Sequence, residues 1–426
     1  MLLNVYKGMM SLSAPLLEAY LKKRARNGKE DTARAQERRG YAARARGEGR
    51  LVWFHAASVG ESLSLLSIVA KMRAEHPETA IMVTTGTVTS ARLMAERLPE
   101  GAFHQYVPVD HPLWVSRFLD HWKPDFVVWA ESELWPNMLR AIGARGIPAV
   151  LLNARMSERS FRRWKWASGA IGQVLSCFSL CLAQNEGEAA RLRALGANNV
   201  QVSANLKYAA APLPNDAQKL EALRAQTANR TLLLWASTHP GEEKLALAAH
   251  KALSTSCKNL LTIIVPRHPV RGGEIKALAV AAGMKASLRS EAAQPEEVYV
   301  ADTMGELGLF YRLCKTVVMG GSFNGTGGHN PIEPGQFGCV IFYGPDMHNF
   351  ITISADFLQK GAAVQVKDAD ELNEKLQAVL ANPGDFASFG AAAEEMTREK
   401  SHVVDDLAAL LEPFIARPVK EGEAGA

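Results

Sequence analysis

Acidic side chains at the ends of two apolar runs are the first candidates for a catalytic base. The run LVWF leads into HAASVGE at residues 55–61, where small residues allow a tight turn and put Glu61 at a helix start. The run DFVVW leads into AESELWPN at residues 130–137, which contains Glu131. A carboxylate near a helix N-terminus is favoured in its ionised form, which suits a group that takes a proton from a hydroxyl. Helix capping by either acid stays an alternative.

A strand end in the second half of the chain offers a group that can bind an anion. VPRHP at residues 265–269 follows an apolar run and puts Pro266 and Arg267 at its end. A guanidinium there can bind a phosphate through two hydrogen bonds. Lys207, in SANLKY at residues 203–208, could likewise neutralise a carboxylate or a phosphate, although most such lysines are solvated surface residues.

A glycine-rich loop is the strongest single signal in the chain. GGSFNGTGGHNPIEP occupies residues 320–334 after an apolar run. The N–H groups of such a loop, and of a helix opened by Asn330 and Pro331, would cradle phosphate oxygens. Glu333, which follows Ile332, could accept hydrogen bonds from ribose hydroxyls. The pattern matches neither G-x-G-x-x-G nor G-x-x-x-x-G-K-[ST], which argues against a dehydrogenase and a P-loop NTPase.

Two further segments have both a functional and a capping interpretation. Met304, Gly305, Glu306 and Leu307 form a predicted helix start whose amides could meet a base or a phosphate. Asp368-Ala-Asp resembles a metal-binding D-x-D, but its acid-rich surroundings favour a helix start. Because no cluster of His or Cys accompanies it, we predict no metal and no other cofactor.

Alternating apolar runs and amphipathic stretches must position these residues. The alternation is typical of βα units and a parallel sheet, and it occurs once before and once after a proline-rich stretch at residues 209–216. We predict two Rossmann-like doubly wound domains facing a central cleft, because ligands bind beyond the carboxyl ends of parallel strands. The predicted boundaries are 51–208 for the first domain, 209–216 for the linker, 217–415 for the second domain and 416–426 for a polar tail.

The N-terminal segment, residues 1–50, has the composition of a membrane-associating helix followed by basic residues. Fourteen of the first twenty-one residues are apolar, but Lys7, Pro15 and Glu18 interrupt the run, which favours an interfacial helix over a spanning one. Residues 22–50 hold eleven Lys or Arg against four Asp or Glu. Such a stretch attracts anionic headgroups and favours the cytoplasmic side; a solvated charged helix is the alternative.

A second basic segment and the cysteines complete the predictions made from the residues alone. Residues 151–166, LLNARMSERSFRRWKW, interleave basic side chains with Phe161, Trp164 and Trp166. Since no nucleic-acid motif is present, we expect a phosphorylated glycolipid and not a nucleic acid, with an ordinary exposed helix as the alternative. The five cysteines are scattered through apolar runs, which fits a reducing compartment.

Taken in chain order, HAASVGE, AESELWPN, LLNARMS, VPRHP and GGSFNGTGGHNPIEP resemble the 3-deoxy-D-manno-octulosonic acid (Kdo) transferases of lipopolysaccharide synthesis. The resemblance implies a GT-B fold with an acceptor domain followed by a donor domain. It also implies an inverting, metal-independent transfer from CMP-Kdo to a lipid A precursor, lipid IVA, at the cytoplasmic side of the inner membrane.

The same resemblance implies roles for the candidate residues. Glu61 would be the proton acceptor, and Glu131 and Lys207 would stabilise the transition state. The CMP contacts would fall in three segments: Pro266 and Arg267; Met304, Gly305, Glu306 and Leu307; and Asn330, Pro331, Ile332 and Glu333. Two alternatives stay open, namely another GT-B enzyme that uses a UDP-sugar, either a transferase or an epimerase, and a non-catalytic membrane-bound protein that binds a nucleotide or an anionic lipid.

Overall fold

The computed structural model describes residues 2–131, 133–291 and 294–416. The chain divides into two compact units: Met1–Ala210 together with His402–Ala426 form the first, and Ala211–Ser401 form the second. Each unit contains a seven-stranded sheet in which every pair of neighbouring strands is parallel. The prediction of two parallel α/β domains is confirmed.

The strands are short and apolar, and the central ones are buried on both faces, as expected when helices cover both sides of a parallel sheet. The first sheet has the order β3-β2-β1-β4-β5-β6-β7 and the second β10-β11-β9-β8-β12-β13-β14. Their bounds are β1 Leu51–His55, β2 Ala80–Thr85, β3 Ala102–Tyr106, β4 Phe126–Ala130, β5 Ala149–Ala154, β6 Leu180–Ala183, β7 Val200–Val202, β8 Thr231–Thr238, β9 Leu260–Pro266, β10 Ala286–Leu288, β11 Val298–Val300, β12 Thr316–Met319, β13 Val340–Tyr343 and β14 Val364–Gln365.

Helices alternate with the strands along the chain. Their bounds are α1 Leu2–Leu12, α2 Ala14–Arg26, α3 Val59–Glu75, α4 Val88–Arg97, α5 Pro112–Trp122, α6 Pro136–Ala144, α7 Glu158–Lys165, α8 Ser168–Leu175, α9 Glu186–Ala194, α10 Ala217–Thr227, α11 Glu242–Leu253, α12 Gly272–Ala281, α13 Leu307–Leu313, α14 Ile332–Gly335, α15 Ile351–Gln359, α16 Ala369–Ala381, α17 Ala387–Glu399 and α18 Val403–Ile415. Asp368 caps α16 by accepting a hydrogen bond from the Glu371 N–H, as predicted for the D-x-D segment.

Chain order and strand order together locate a topological switch point in each sheet. In the first sheet the chain runs outward from β1 to β3 and then returns to place β4 on the other side of β1. In the second sheet β8 lies in the same way between β9 and β12. Ligands of open parallel sheets bind beyond the carboxyl ends of the strands at such points. The loops after β1 and β4, and those after β8 and β12, are therefore the places for candidate sites.

The C-terminal helix corrects the predicted domain boundary. Residues 402–415 were predicted to end the second domain, but α18 packs in the first unit. Its Phe414 ring stacks on Phe126 of β4 at 5.2 Å between centroids, and its Glu412 lies 2.8 Å from His76. The chain thus returns to the first unit after completing the second. Of the predicted polar tail, only Ala416 lies within the described residues.

The N-terminal fifty residues are part of the first unit and not a separate segment. Leu3 and Leu21 are buried, and the Tyr6 hydroxyl donates to Asp110 at 3.0 Å. At least five of the basic residues at 22–50 form ion pairs with acids of the fold; these are Arg24, Arg34, Arg38, Arg39 and Arg46. Much of the charge predicted to meet a membrane is therefore bound internally. Within the described residues, no helix has the length and apolar character needed to cross a bilayer.

Candidate active site

Glu61 forms a capping box with Ser58 at the start of α3. The Ser58 hydroxyl accepts a hydrogen bond from the Glu61 N–H and donates to Glu61 Oε1 at 2.9 Å. Glu61 Oε2 accepts a hydrogen bond from the Ala57 N–H at 2.7 Å. The Ser58 hydroxyl thus satisfies the Glu61 amide, which the first helical turn leaves without a partner, and the Glu61 carboxylate binds the Ala57 amide just before the helix. The capping role and the chemical role offered as alternatives are therefore compatible, because a carboxylate has more acceptor positions than these two donors use.

The electrostatic surroundings of Glu61 differ from the expectation that the helix dipole would favour its ionised form. Burial, and then the negative charges of Glu131 and Glu133, raise the pKa of Glu61 above its usual value. The hydrogen bonds from the Ala57 amide and the Ser58 hydroxyl oppose that rise without cancelling it. A carboxylate with a raised pKa is a stronger base, so the correction strengthens the chemical interpretation of Glu61.

Glu131 lies immediately after β4 in a strained backbone conformation. Its φ of 55° is in the left-handed region that non-glycine residues seldom adopt. Its N–H nevertheless continues the sheet by donating to Leu152 O at 2.9 Å. Glu131 Oε1 is 3.3 Å from the Asn153 amide nitrogen and 3.8 Å from Lys207 Nζ. Such strain persists only where the surroundings impose it, and it is concentrated at functional sites.

A pocket of about 330 Å³ in the first unit collects these acidic residues. Glu61, Glu131, Glu133 and Leu134 line one part of it, and residues 155–164 line the rest. The lining side chains of that second part are Arg155, Met156, Ser157, Ser160 and Trp164. A volume of this size holds a sugar-sized ligand. The two acids that the sequence places at strand ends, Glu61 and Glu131, thus line one pocket.

Two tryptophans, Trp129 and Trp135, fix the position of Glu133. Trp129 is fully buried in the core, and its indole N–H donates to the backbone oxygen of Glu133 at 2.6 Å. The indole N–H of Trp135 donates to Glu133 Oε2, also at 2.6 Å. The aromatic side chain that lines the pocket is Trp164 of α7.

The second unit brings Arg267 and the end of the glycine-rich loop together. The Arg267 N–H donates to Thr238 O at 2.9 Å, which joins the ends of β8 and β9. Burial raises the pKa of Glu333 to about 7, against the lowering effects of Asn330 and of the Arg267 charge. Burial also lowers the pKa of His329 to about 4, and the charges of His239 and Arg267 add to this shift.

The glycine-rich loop itself is not a free phosphate cradle. Glu242, buried at the start of α11, accepts hydrogen bonds from the Gly321 N–H at 2.7 Å and the Phe323 N–H at 3.1 Å. The Gly328 N–H donates within the loop, to Gly321 O at 2.7 Å. The helix expected after Pro331 is only the four-residue α14. Several amides predicted to bind phosphate are thus occupied by the protein's own oxygens.

Gly320 lies where the loop backbone passes close to the end of β8, and only glycine fits there. A Cβ on Gly320 would lie 2.3 Å from Ser237 O, closer than real Cβ atoms approach such an oxygen. Ser237 has a φ of 60°, so the end of β8 is itself strained at this contact. The glycines of the loop therefore serve close packing at the switch point of the second sheet.

Replacing Glu242 with Gln is expected to destabilise the second unit by about 1–3 kcal/mol, since a buried N–H would lose its acceptor. Urea unfolding followed by circular dichroism measures the change. The matched control is Glu221→Gln, because Glu221 is an exposed acid of α10; we expect it to change stability by less than about 0.5 kcal/mol. Equal effects of the two substitutions would contradict the anchoring role.

The helix-start segment at residues 304–307 has its acid already bound. Arg289 donates to both oxygens of Glu306 at 3.1 Å, and Lys219 and Thr303 donate to it as well. Burial alone would raise the pKa of Glu306, but the hydrogen bonds from Arg289 and Thr303 lower it to about 2. Met304 is 77% exposed. Only the non-acidic part of this segment is available to a ligand.

Sequence reasoning missed Asn153, a buried residue that contacts the pocket residue Glu131. Asn153, the penultimate residue of β5, has a φ of 55° and is 3% exposed, and its side chain contacts Glu131. An asparagine at the end of an apolar strand is a usable signal, because asparagine tolerates the left-handed conformation better than most residues. Across the described parts of the chain, no group of three His, Cys, Asp or Glu side chains is arranged to hold a metal ion.

Comparison with known proteins identifies the family. Residues 33–210 match the family described as 3-deoxy-D-manno-octulosonic-acid transferase (kdotransferase). The chain is 32% identical to the 3-deoxy-D-manno-octulosonic acid transferase of Rickettsia bellii, over 97% of this chain and 100% of that protein. It is also 32% identical to the Haemophilus influenzae protein of the same name, over 86% of this chain and 88% of that one.

Solved structures support the fold alone. The UDP-GlcNAc 2-epimerase of Neisseria meningitidis superposes with a TM-score of 0.60 at 11% identity, over 86% of this chain and 100% of that one. A glycosyltransferase of Rickettsia africae superposes with a TM-score of 0.59 at 11% identity, over 87% of this chain and 100% of that one. The epimerase and this chain therefore share an architecture, whereas the sequence identity is with the transferases. The chain belongs to the 3-deoxy-D-manno-octulosonic acid transferase family of glycosyltransferases.

Proposed function

We propose that this glycosyltransferase moves Kdo from CMP-Kdo to a lipid A precursor such as lipid IVA, with Glu61 as the base. The observation that carries the proposal is the pocket lined by Glu61 and Glu131, with Lys207 Nζ 3.8 Å from Glu131 Oε1, in a chain of the Kdo transferase family. Glu61 accepts the proton of an acceptor hydroxyl, whose oxygen attacks the anomeric carbon of Kdo. The bond from that carbon to the CMP oxygen breaks, and its electron pair leaves with CMP.

Glu131 and Lys207 act on the charge that develops in this step. The sugar becomes oxocarbenium-like as the bond to CMP breaks, so the nearby Glu131 carboxylate stabilises the positive charge. Kdo also carries a carboxylate, which Lys207 can neutralise. The 3.8 Å separation of Glu131 Oε1 and Lys207 Nζ keeps the two charges close together without a direct hydrogen bond.

The donor nucleotide belongs, in this proposal, to the second unit. Arg267 supplies the positive charge that binds the CMP phosphate as it leaves, and Asn330 to Glu333 meet the nucleoside. Because internal acceptors occupy the amides of Gly321, Phe323 and Gly328, side chains carry more of the phosphate binding than the loop backbone does. The proposal includes no metal ion and no organic cofactor.

The acidic limb of the pH–rate profile is expected to follow Glu61. A base acts only when deprotonated, so activity is lost as pH falls through a pKa that lies above the usual glutamate value. Glu131→Gln removes a charge that raises this pKa, so the limb of the residual activity should move to lower pH. Glu133→Gln should move the limb in the same direction by less, since its charge is the smaller cause. An unmoved limb in Glu131→Gln would contradict the assignment.

Attachment to the membrane surface is supported by the two faces of α1. One face is held in the fold by Leu3 and Tyr6. The opposite face exposes apolar side chains at helical spacing through α1 and into α2: Leu2, Val5, Met9, Leu12 and Leu16. Trp166, 95% exposed, lines a pocket together with Leu2. An exposed apolar face of this kind suits an interfacial helix lying on the cytoplasmic side of the inner membrane.

The segment after β5 links this apolar surface to the active-site pocket. Ser160 and Trp164 of α7 line the pocket that contains Glu61, and Trp166 follows directly on the apolar side. Arg162 and Arg163, on the same helix, can meet the phosphates of a glycolipid. A lipid A precursor could thus place a sugar hydroxyl near Glu61 while its acyl chains remain in the bilayer.

Exchanging Leu12 and Leu16 for Asp is expected to reduce binding to anionic phospholipid vesicles at least tenfold, because both apolar side chains would leave the bilayer. Both are more than 70% exposed, so the fold should be retained. Co-sedimentation measures the partition. Val280→Asp, at an exposed position of α12, is the matched control. Unchanged partition of the double variant would show that attachment lies elsewhere.

The transfer reaction itself is tested with purified protein, lipid IVA and freshly generated CMP-Kdo. Mass spectrometry of the lipid should show the addition of Kdo, and UDP-sugars should give no product. Absence of a Kdo adduct with folded protein would refute the proposal.

A further inference from the structure

Two strained residues lie side by side at the ends of neighbouring strands. Glu131 follows β4 and Asn153 lies in β5, which pairs with β4, and both have a φ of 55°. Asn153 is only 3% exposed, so its amide must find partners within the protein. Two adjacent residues in a sparsely populated conformation cost free energy, and the surrounding structure must impose both.

The side-chain amide of Asn153 forms hydrogen bonds through both its nitrogen and its oxygen, one to Glu131 and one to Leu206. Its amide nitrogen donates to Glu131 Oε1 at 3.3 Å. Its amide oxygen accepts a hydrogen bond from the Leu206 N–H at 3.2 Å. Leu206 directly precedes Lys207, whose Nζ lies 3.8 Å from the same Glu131 oxygen. The buried Asn153 amide thus links the Glu131 carboxylate to the backbone immediately before Lys207.

A second set of contacts joins the end of β5, through Gln184, to the segment that carries Lys207. The Gln184 amide, just after β6, donates to Asn153 O at 3.0 Å and accepts from the Asn205 amide at 3.1 Å. Asn205 in turn accepts a hydrogen bond from the Lys207 N–H at 3.0 Å. The backbone at Lys207 is therefore held by a chain of amides that begins at Asn153.

We propose that Asn153 is a positioning residue that fixes Glu131 relative to Lys207 for Kdo transfer. The inference rests on the proposed roles of those two residues. Asparagine suits the site because it supplies one donor and one acceptor and tolerates a positive φ. Aspartate would keep the acceptor for the Leu206 N–H, but it would replace the donor with a negative charge beside Glu131.

The test compares Asn153→Asp with Asn199→Asp. Asn199 is an exposed asparagine of the same unit, with a φ of 45°, so the control makes the same exchange in the same kind of backbone. We expect Asn153→Asp to lower kcat about 10- to 100-fold, with KM for CMP-Kdo within about twofold of the control. Asn153→Gly, which keeps the backbone conformation but loses both hydrogen bonds, should also lower kcat. A kcat for Asn153→Asp within twofold of the control would overturn the proposal.

A double-mutant cycle separates positioning from a general loss of structure. If Asn153 acts through Glu131, Asn153→Asp should lower kcat only slightly in a Glu131→Gln background. In that background the new aspartate no longer faces the negative charge of Glu131. An undiminished loss in that background would assign the effect to folding and overturn the proposal. Wild-type transfer is measured alongside; its absence would refute the proposed function itself, whereas active wild type with an insensitive Asn153 would refute only the positioning role.

Discussion

Glu61→Gln is expected to lower the rate of Kdo transfer by about 10²- to 10⁴-fold, the usual contribution of a general base. Glutamine is suited to this test because it can serve at the third position of a capping box. Its carbonyl oxygen can still accept the Ala57 N–H, so the start of α3 should survive while the proton acceptor is lost. CMP binding, which we assign to the second unit, should be unchanged by calorimetry.

The matched control for this substitution is Glu371→Gln. Glu371 forms the same reciprocal cap at the start of α16, where its carboxylate accepts the Lys367 N–H at 2.9 Å. If the transfer rate falls in Glu61→Gln but not in Glu371→Gln, the effect is due to the lost base and not to a weakened helix cap. If Glu61→Gln keeps wild-type turnover, the base must be another group, and Glu131 would be the next to test.

Arg267→Ala should produce the second largest loss, about 10²- to 10³-fold in kcat, by removing a donor to the charge that leaves with CMP. Affinity for CMP should fall as well, since the ground state carries part of that charge. Arg267→Lys is expected to recover only part of the activity, because an ammonium cannot form the paired hydrogen bonds of a guanidinium.

Single-turnover kinetics and calorimetry distinguish these effects on Arg267. Arg224→Ala is the control, since Arg224 is an exposed arginine of the second unit whose partner is the surface acid Glu221. Wild-type CMP affinity together with wild-type kcat in Arg267→Ala would remove Arg267 from the donor site.

Sequence reasoning located most strands, and its failures lie at the sheet edges. Apolar runs of the sequence correspond to central strands, among them LVWF in β1 and DFVVW in β4, because central parallel strands are buried on both faces. The four that escaped prediction, β3, β7, β10 and β14, are the edge strands of the two sheets. β3 includes His104 and Gln105, and β14 has only two residues, so neither carries the apolar run used to recognise the others.

The candidate site was predictable where it depends on strand order and unpredictable where it depends on backbone conformation. Glu61 and Glu131 were expected to meet because both follow parallel strands, and they line one pocket. Asn153 escaped because its role depends on a positive φ and on partners distant in sequence. Glu242 escaped because an acid in the first turn of a helix gives no sign that it holds a loop of another strand.

The return of α18 has a consequence for how the protein is synthesised. The second unit is a continuous piece of chain, so it can complete its fold before α18 has left the ribosome. The first unit must wait for α18, which covers the Phe126 side of its sheet with Phe414 and buries Leu407, Leu411 and Ile415. Until α18 has packed, the apolar surface that it covers stays open to chaperones. A truncation that removes α18 would therefore damage the first unit, although its strands all lie in the N-terminal half of the chain.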